Sequence, residues 1–164
     1  MISPKLMTNP NNDPATECPC CSGTNYQNCC EPLHLKKVIA SSPEQLMRSR
    51  FCAFYFGLFD YLIETHHKQY LGGLTSELLS EGPQPNWLSL EVISSSKLDL
   101  QGKVTFQAWF KDKNKLDAIH ESSDFIKEND SWYYTEGVQY SPVYPKRNEL
   151  CVCGSKKKFK QCCL

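Results

Sequence analysis

The chain has 164 residues, enough for one domain of ordinary size with small appendages. Its formal net charge is zero, but residues 41–140 carry nine basic and fourteen acidic side chains, whereas residues 141–164 carry six basic and one acidic. The acidic middle, and the lack of basic residues interleaved with aromatic ones on one face, argue against nucleic acid as the main partner. No stretch approaches the roughly eighteen consecutive apolar residues of a membrane-spanning helix, so no membrane span is expected.

Residues 1–17 are rich in Asn, Pro and Thr and lack an apolar run of signal-peptide length. We interpret them as a mobile leader and expect a cytoplasmic protein. Thiols stay reduced in the cytoplasm, so clustered cysteines there indicate metal ligands before they indicate disulfides.

A cysteine motif follows at residues 18–30, and a second copy ends the chain at residues 151–163. Each copy reads C-x-C, eight residues, C-C, and contains one aromatic residue, Tyr26 or Phe159. Four thiolates at this spacing suit a tetrahedral zinc ion, and so short a motif would gain most of its stability from the metal. Two zinc ions per chain are therefore predicted. The eight predicted ligands are Cys18, Cys20, Cys29, Cys30, Cys151, Cys153, Cys162 and Cys163.

Other interpretations of the cysteines stay open at this stage. A disulfide pair or a redox relay also uses clustered cysteines, although two matched copies in a reducing compartment favour metal. A catalytic zinc needs an open coordination position, which four protein ligands do not leave. Cys21 is an additional cysteine inside the first motif, and we interpret it as a spectator, an alternative to Cys20 as ligand, or a reactive thiol.

Residues 31–41 are interpreted as a polar linker. A helix is predicted after Ser42, because serine can cap, proline suits the first helical position and Gln45 completes a capping box. Gly57 is predicted to end this helix. Its apolar face consists of residues at spacings of four, three and four: Met47, Phe51, Phe54 and Leu58. The two arginines on the helix, Arg48 and Arg50, are interpreted as a solvated or ion-paired face.

A second short helix is predicted to start at Asp60. His66 and His67 lie near its C-terminal end, where a positive charge interacts favourably with the helix dipole. A third helical segment is predicted at residues 75–80.

Alternating apolar residues replace the helical period after residue 86. Strands are predicted at residues 87–92, 103–110, 116–127 and 131–136, with a break near residues 122–123. In the first strand, Leu88, Leu90 and Val92 should share one face. In the second, Val104, Phe106, Ala108 and Phe110 should lie opposite Thr105, Gln107 and Trp109. Helices followed by an antiparallel meander predict an α+β fold.

The two cysteine motifs resemble the SEC-C motif, the zinc-binding tail of the bacterial preprotein translocase ATPase. Residues 153–163 are close to its usual wording, whereas Cys21 stands where a glycine is common. The middle of the chain resembles the YchJ-type bacterial proteins, which carry a SEC-C motif at one or both ends of a domain like nuclear transport factor 2. The stretches that carry this resemblance are residues 47–51, 60–62, 66–67, 104–110, 120–125 and 132–134.

The resemblance implies a cone-shaped α+β domain at residues 41–140, in which N-terminal helices cover a curved antiparallel sheet around a cavity. Small zinc knuckles would flank this domain, at residues 18–40 and 141–164. The family has no settled activity, so the resemblance implies architecture more than function.

A non-catalytic adapter is the function that we expect. In the translocase, the SEC-C tail is associated with docking to an acidic export chaperone, and with ribosome contact. By analogy, four lysines of the second knuckle would meet an acidic protein or ribosomal surface, with RNA as a weaker candidate. They are Lys156, Lys157, Lys158 and Lys160. Alternatively, these lysines only balance the charge of the zinc thiolates. The first knuckle, which has no such lysines, should brace the middle domain.

The alternative function is a small-molecule binder or an isomerase or dehydratase that uses the cavity. The candidate cavity residues are Asp60, His66, Trp109, His120, Asp124 and Trp132, with His67 and Glu121 as further candidates. His120 would be a general base if it faces inward with Leu116 and Ala118. Otherwise it is a core histidine, with Arg50 pairing with Asp124 or Glu121 as a structural ion pair. The partner, any cavity ligand and the oligomeric state are not specified by the sequence.

Overall fold

A computed structural model describes residues 16–164, so residues 1–15 of the predicted leader lie outside the described residues. Four helices precede four strands in this part of the chain. They are α1 Glu31–His34, α2 Pro43–Phe56, α3 Phe59–Glu64, α4 Ser76–Ser80, β1 Asn86–Leu98, β2 Gln101–Asp112, β3 Lys115–Glu128 and β4 Ser131–Tyr140. The strands form one antiparallel sheet in the order β1-β2-β3-β4. The predicted α+β order is therefore confirmed. In the described region, no helix has the length and apolar character needed to cross a membrane.

Helix α2 begins and ends where the sequence predicts. The hydroxyl of Ser42 accepts a hydrogen bond of 3.1 Å from the backbone N–H of Gln45. In a capping box the Gln45 side chain would accept a hydrogen bond from the backbone N–H of Ser42. Here it accepts instead from the N–H of the preceding residue, Ser41, at 2.7 Å. Gly57 ends the helix in the left-handed conformation, with φ of 72°.

Helix α2 is buried over more than the predicted apolar stripe, since Leu46, Ser49 and Cys52 are buried with Met47 and Phe51. Arg50 is buried as well, so its interpretation as a solvated residue was wrong. Its guanidinium donates to the carbonyl oxygen of Leu62 at 2.8 Å and to the Thr65 hydroxyl at 2.7 Å. It also lies 4.8 Å from the centroid of the Tyr134 ring.

Strand β2 is buried on both faces. Val104, Phe106 and Ala108 pack with helix α2 in the main hydrophobic cluster, and this side is the inner face of the sheet. Gln107 and Trp109 are equally buried on the opposite, outer face. The alternation predicted for this strand is confirmed, and a second layer of structure covers the side opposite the helices.

A β-bulge in β1 places Leu88 on the face opposite to the predicted one. The pairing with β2 shifts register between Trp87 and Ser89, which places one extra residue in β1. Leu88 consequently packs with Trp109 on the outer face, whereas Leu90 packs in the inner cluster. Alternation alone could not show this shift.

Strand β3 is continuous where the sequence predicted a break. The irregularity at this point is a register shift against β4, between Ser123 and Phe125. Two-residue turns connect β2 to β3 and β3 to β4. Their residues are Lys113 and Asn114, with φ of 49° and 65°, and Asn129 and Asp130, with φ of 50° and 64°. Two consecutive positive φ angles match the twist of antiparallel hairpins.

Candidate metal centres

The two cysteine motifs fold in the same way. In the first, the N–H of Cys18 donates to the Thr24 carbonyl at 2.8 Å, and in the second the N–H of Cys151 donates to the Lys157 carbonyl, also at 2.8 Å. Each motif contains a single 3-10 turn, Tyr26–Asn28 or Phe159–Gln161. The repeat in the sequence is therefore a repeat in structure, and we call the two copies the first and the second knuckle.

Two positions in each knuckle have a left-handed backbone. In the first knuckle they are Cys21 and Gly23, with φ of 63° and 84°. The equivalent positions of the second are Gly154 and Lys156, with φ of 81° and 64°. Each copy thus has glycine at one of the two positions and a residue with a side chain at the other, which explains why their glycines are offset in the sequence.

The four predicted thiols of the first knuckle converge. Each ligand atom of Cys18, Cys20, Cys29 and Cys30 lies within 4.8 Å of the others. The Sγ atoms of Cys20 and Cys29 are 3.6 Å apart, and those of Cys29 and Cys30 are 3.9 Å apart. Cys18, Cys20 and Cys30 are only 3%, 0% and 1% exposed, whereas Cys29 is half-buried.

The second knuckle gathers its four thiols in the same manner, at Cys151, Cys153, Cys162 and Cys163, all within 4.8 Å of one another. The Sγ atoms of Cys153 and Cys162 are 3.3 Å apart, and those of Cys162 and Cys163 are 3.7 Å apart. This centre is more open, because Cys162 is exposed and Cys153 and Cys163 are half-buried.

Both thiol sets fit a tetrahedral thiolate-binding metal ion. Four sulfur atoms at about 2.3 Å from a tetrahedral zinc ion lie about 3.8 Å from one another, close to the distances found here. Hydrogen bonding among the thiols, with Cys18 as the strongest neighbour, lowers the pKa of Cys20 and raises that of Cys30. Burial raises the pKa of Cys153, but hydrogen bonds with Ser155 and Cys162 outweigh burial and bring it to about 6. Thiols this crowded can all ionise only beside a cation.

Cys21 stands outside the four-thiol set of the first knuckle. Its side chain is exposed and its Sγ contacts the Pro19 carbonyl at 3.5 Å. Among the interpretations of Cys21, this position favours the spectator over a ligand in place of Cys20.

A chain of hydrogen bonds fixes the first knuckle to helix α2. The Tyr26 hydroxyl lies 2.8 Å from His34 Nδ1, and His34 Nε2 lies 2.8 Å from the Ser49 carbonyl. A carbonyl oxygen can only accept, so Nε2 carries the proton and Nδ1 accepts from the tyrosine. His34 belongs to α1, and Leu33 beside it is buried, so the predicted polar linker is in fact a packed connection.

The outer face of the sheet holds the second knuckle. Phe159 is buried in a cluster with Trp109, Leu116 and Ala118. The Ser89 hydroxyl donates to the carbonyl oxygen of Val152, which adds a polar contact. The first knuckle packs against the middle domain as expected, and the second knuckle packs against it as well. All four lysines of the second knuckle, Lys156, Lys157, Lys158 and Lys160, remain exposed.

Arg48 and Cys52 are residues near the first centre that the sequence interpretation missed. Arg48 donates to the carbonyl oxygen of Cys20 at 2.7 Å, which brings a cation to a knuckle that lacks lysines. The Sγ of Cys52 lies 3.4 Å from that of Cys18. The two residues are four apart on α2, so they share the face that contacts the knuckle. In the sequence, this four-residue spacing was the signal that could have placed the two residues on one face of the helix.

The candidate cavity residues are distributed over several places. His120 shares a face with Leu116 and Ala118, but that face is the outer one, and His120 Nδ1 lies 2.9 Å from the Ser141 carbonyl. His120 was expected to face inward if it shared a face with Leu116 and Ala118. It does share that face, but the face points outward, so the expectation was wrong. Asp124 forms an ion pair of 2.8 Å with Lys103 and not with Arg50.

Glu121 alternates with His120 and therefore lies on the inner face. Its Oε1 accepts hydrogen bonds from the hydroxyls of Ser123 and Tyr134, at 2.8 and 2.9 Å. His66 packs edge-on to Tyr134, with ring centroids 4.9 Å apart. Burial, followed by the charge of Arg50, lowers the pKa of His66, which favours its neutral form.

The remaining candidates lie apart from this inner group. Trp132 lines a cavity of about 180 Å³ that opens beside α1 and α3. Trp109 lies on the outer face, and Asp60 on α3 accepts a hydrogen bond of 2.6 Å from Ser76. His67 Nε2 lies 2.7 Å from the carboxylate of Glu128, the last residue of β3. The structure thus does not bring the six candidates together at one site.

Family profiles match this architecture. The profile described as the middle domain of YchJ, like nuclear transport factor 2, matches residues 42–137, and the SEC-C motif matches residues 147–164. A UPF0225 protein of Shewanella sp. strain MR-4 is 51% identical over 156 residues, which cover 90% of this chain and 95% of the relative. A UPF0225 protein of Vibrio cholerae is 38% identical over 148 residues, covering 89% and 98%.

Solved structures share the fold. A SEC-C motif containing protein from Rhodopseudomonas palustris is 34% identical, with a TM-score of 0.72, over 77% of this chain and 100% of that one. A sec-c motif containing protein from Psychrobacter arcticus is 28% identical, with a TM-score of 0.66, over 92% and 96%. With its middle domain like nuclear transport factor 2 and its cysteine clusters at both ends, the chain belongs to the UPF0225 (YchJ) family of bacterial proteins.

Proposed function

We propose that this protein is a zinc-stabilised, non-catalytic adapter of the cytoplasm, which binds an acidic protein segment through its second knuckle. The observation that carries the proposal is the contrast within that knuckle. Phe159 is buried against the sheet, while the lysines on either side of it are exposed. The knuckle thus packs against the sheet through its apolar residues and presents positive charge with its lysines.

Zinc is the metal that the donor sets favour. Each centre offers four thiols and no carboxylate or imidazole within its set. Closed four-thiolate sites are typical of structural zinc, and the soft sulfur ligands disfavour magnesium or calcium. The metal would hold each knuckle folded, while the binding surface would come from the side chains around it.

A groove beside the second knuckle extends the basic surface. It has a volume of about 1070 Å³ and lies between the β2–β3 turn and the end of the chain. Its basic lining residues are Lys113, Lys115, Lys146 and Arg147. The backbone of Lys160 donates to the Arg147 carbonyl at 3.0 Å, so the groove adjoins the knuckle lysines. Charge complementarity therefore favours an extended acidic segment as the occupant.

The test uses the zinc-loaded full chain and a fluorescent peptide of Asp and Glu residues. We expect saturable binding that weakens as salt rises, because the attraction is screened. The triple variant Lys156→Glu, Lys157→Glu and Lys158→Glu should lose about tenfold or more in affinity. A matched control reverses three exposed lysines outside this surface, Lys37, Lys68 and Lys97, and should keep its affinity within about twofold.

Three outcomes separate the parts of this proposal. Equal loss in both triple variants means that the peptide senses only net charge, which rejects a specific docking surface. Tighter binding of a single-stranded RNA with the same number of charges makes RNA the partner instead. Metal analysis that finds no zinc in a folded chain rejects zinc independently of the docking result.

A further inference from the structure

A fifth thiol lies at the first metal centre. Cys52, on helix α2, is 0% exposed, and its Sγ lies 3.4 Å from that of Cys18. Cys52 also belongs to the same buried cluster as Cys18, Cys20 and Cys30. A distance of 3.4 Å falls within the range of 3.3 to 3.9 Å between neighbouring thiols of the two ligand sets. By distance, Cys52 is placed like a ligand.

Cys29 and Cys52 differ in their surroundings, although each neighbours the same cluster. Cys29 is half-buried and its Sγ lies 3.2 Å from the Ser22 hydroxyl, at the outer side of the knuckle. Cys52 comes from the middle domain and is enclosed by it. The thiols of Cys18, Cys20 and Cys30 therefore have two alternative fourth partners, one near solvent and one in the core.

We propose that Cys52 is an alternative ligand of the first metal centre, which can take the place of Cys29. The metal is then held by Cys18, Cys20, Cys30 and Cys52. In the exchange, one metal–sulfur bond forms at Cys52 and one breaks at Cys29. The proton of the Cys52 thiol passes to the departing Cys29 thiolate, so the charge of the centre does not change.

The exchange gives the first centre two properties that the second lacks. A metal bound by Cys52 joins the knuckle directly to α2, and Cys29 becomes a free thiol at the surface. Arg48, one turn before Cys52 on the same helix, donates to the Cys20 carbonyl and supplies positive charge beside the four thiolates. All ten cysteines lie in the described part of the chain, and the two outside the ligand sets, Cys21 and Cys52, are both near the first knuckle.

The second knuckle provides the control, because Cys162 occupies the position equivalent to Cys29. The experiment loads the full-length Cys29→Ser and Cys162→Ser variants with Co²⁺ and measures bound metal and the sulfur-to-cobalt charge-transfer absorption, which rises with the number of thiolate ligands. Cys29→Ser should keep two ions and the wild-type absorption per chain. Cys162→Ser should lose about one-eighth of that absorption, or about half if its ion dissociates.

The double variant Cys29→Ser/Cys52→Ser identifies the replacing ligand. It should lose absorption at the first centre as Cys162→Ser does at the second, while ion binding at its intact second centre reports that this part of the chain remains folded. Cys52→Ala alone should keep both ions and full absorption, since Cys29 is then present. Equal losses in Cys29→Ser and Cys162→Ser would overturn the proposal and leave Cys52 as an ordinary buried thiol. So would identical absorption in the double variant and in Cys29→Ser.

Discussion

Cys21 and Gly154 occupy equivalent positions in the two knuckles, and both have a left-handed backbone, with φ of 63° and 81°. Glycine adopts this conformation without penalty, whereas a residue with a Cβ atom does so at a cost of about 1–2 kcal/mol. Cys21 is not one of the four converging thiols. The first knuckle therefore contains a strained residue that is not a metal ligand in this arrangement.

Replacing Cys21 with glycine should stabilise the protein. The variant removes the left-handed strain of about 1–2 kcal/mol, and the added freedom of glycine in the unfolded chain offsets about 0.4–1 kcal/mol. We expect a net gain of up to about 1.6 kcal/mol, measured by urea unfolding of the metal-loaded chain. Gly154→Ala is the matched change in the other knuckle and should have the opposite sign. A lower stability of Cys21→Gly would show that the Cys21 side chain contributes more than its backbone strain costs.

The sequence predicts those parts of the fold that depend on local chemistry. The cap at Ser42, the stop at Gly57 and the alternation of β2 are all confirmed. The cysteine spacing likewise predicts both thiol clusters. Each of these features depends on residues close together in the chain, so the pattern contains the information.

The sequence could not show which layer of structure covers each face of the sheet. Trp109 is buried like a core residue, yet the second knuckle, not the helices, covers it, and His120 on the same face contacts Ser141. The inward orientation was wrong because alternation groups residues without saying which layer lies over them. The bulge at Leu88 escaped prediction for a similar reason, since register exists only between paired strands.

Removing the Phe159 side chain should detach the second knuckle from the sheet. A buried Phe→Ala change costs about 3–5 kcal/mol, and here the lost contacts are those with the outer-face cluster. We expect faster hydrogen exchange at the Cys151 amide, which is bonded to the Lys157 carbonyl. The amides of α2, on the other side of the sheet, should be much less affected.

Leu150→Ala serves as the control for Phe159→Ala. Leu150 precedes the knuckle and is 68% exposed, so its truncation should change stability by less than about 0.5 kcal/mol. Similar exchange rates in both variants would show that Phe159 does not anchor the knuckle.

Two histidines should make folding stability depend on pH. Burial lowers the pKa of His34, and burial followed by the charge of Arg50 lowers the pKa of His66, in each case from the usual 6.5. Below pH 6.5 the unfolded chain then binds more protons than the folded one, so stability is full above this pH and falls as the pH falls through the folded values. Zinc–thiolate bonds also weaken in acid, so unfolding alone cannot isolate this contribution.

NMR titration of the histidine ring protons measures this effect directly. We expect the signals of His34 and His66 to titrate below pH 6.5 in chains that still hold their metal, with assignments from His34→Gln and His66→Gln. A titration of His34 above pH 6.5 would contradict the neutral tautomer that donates to the Ser49 carbonyl and accepts from Tyr26.

The two centres should lose metal at different rates. A chelator must reach the thiolates, and Cys162 is exposed at the second centre, whereas three of the four thiols at the first are buried. We expect two kinetic phases of equal size in zinc release, the faster from the second centre. A chain truncated after Leu150 should show only the slow phase, and Cys18→Ser should remove or accelerate that phase alone. Release in one phase, with both zinc ions leaving together, would show instead that the two knuckles lose metal as one cooperative unit.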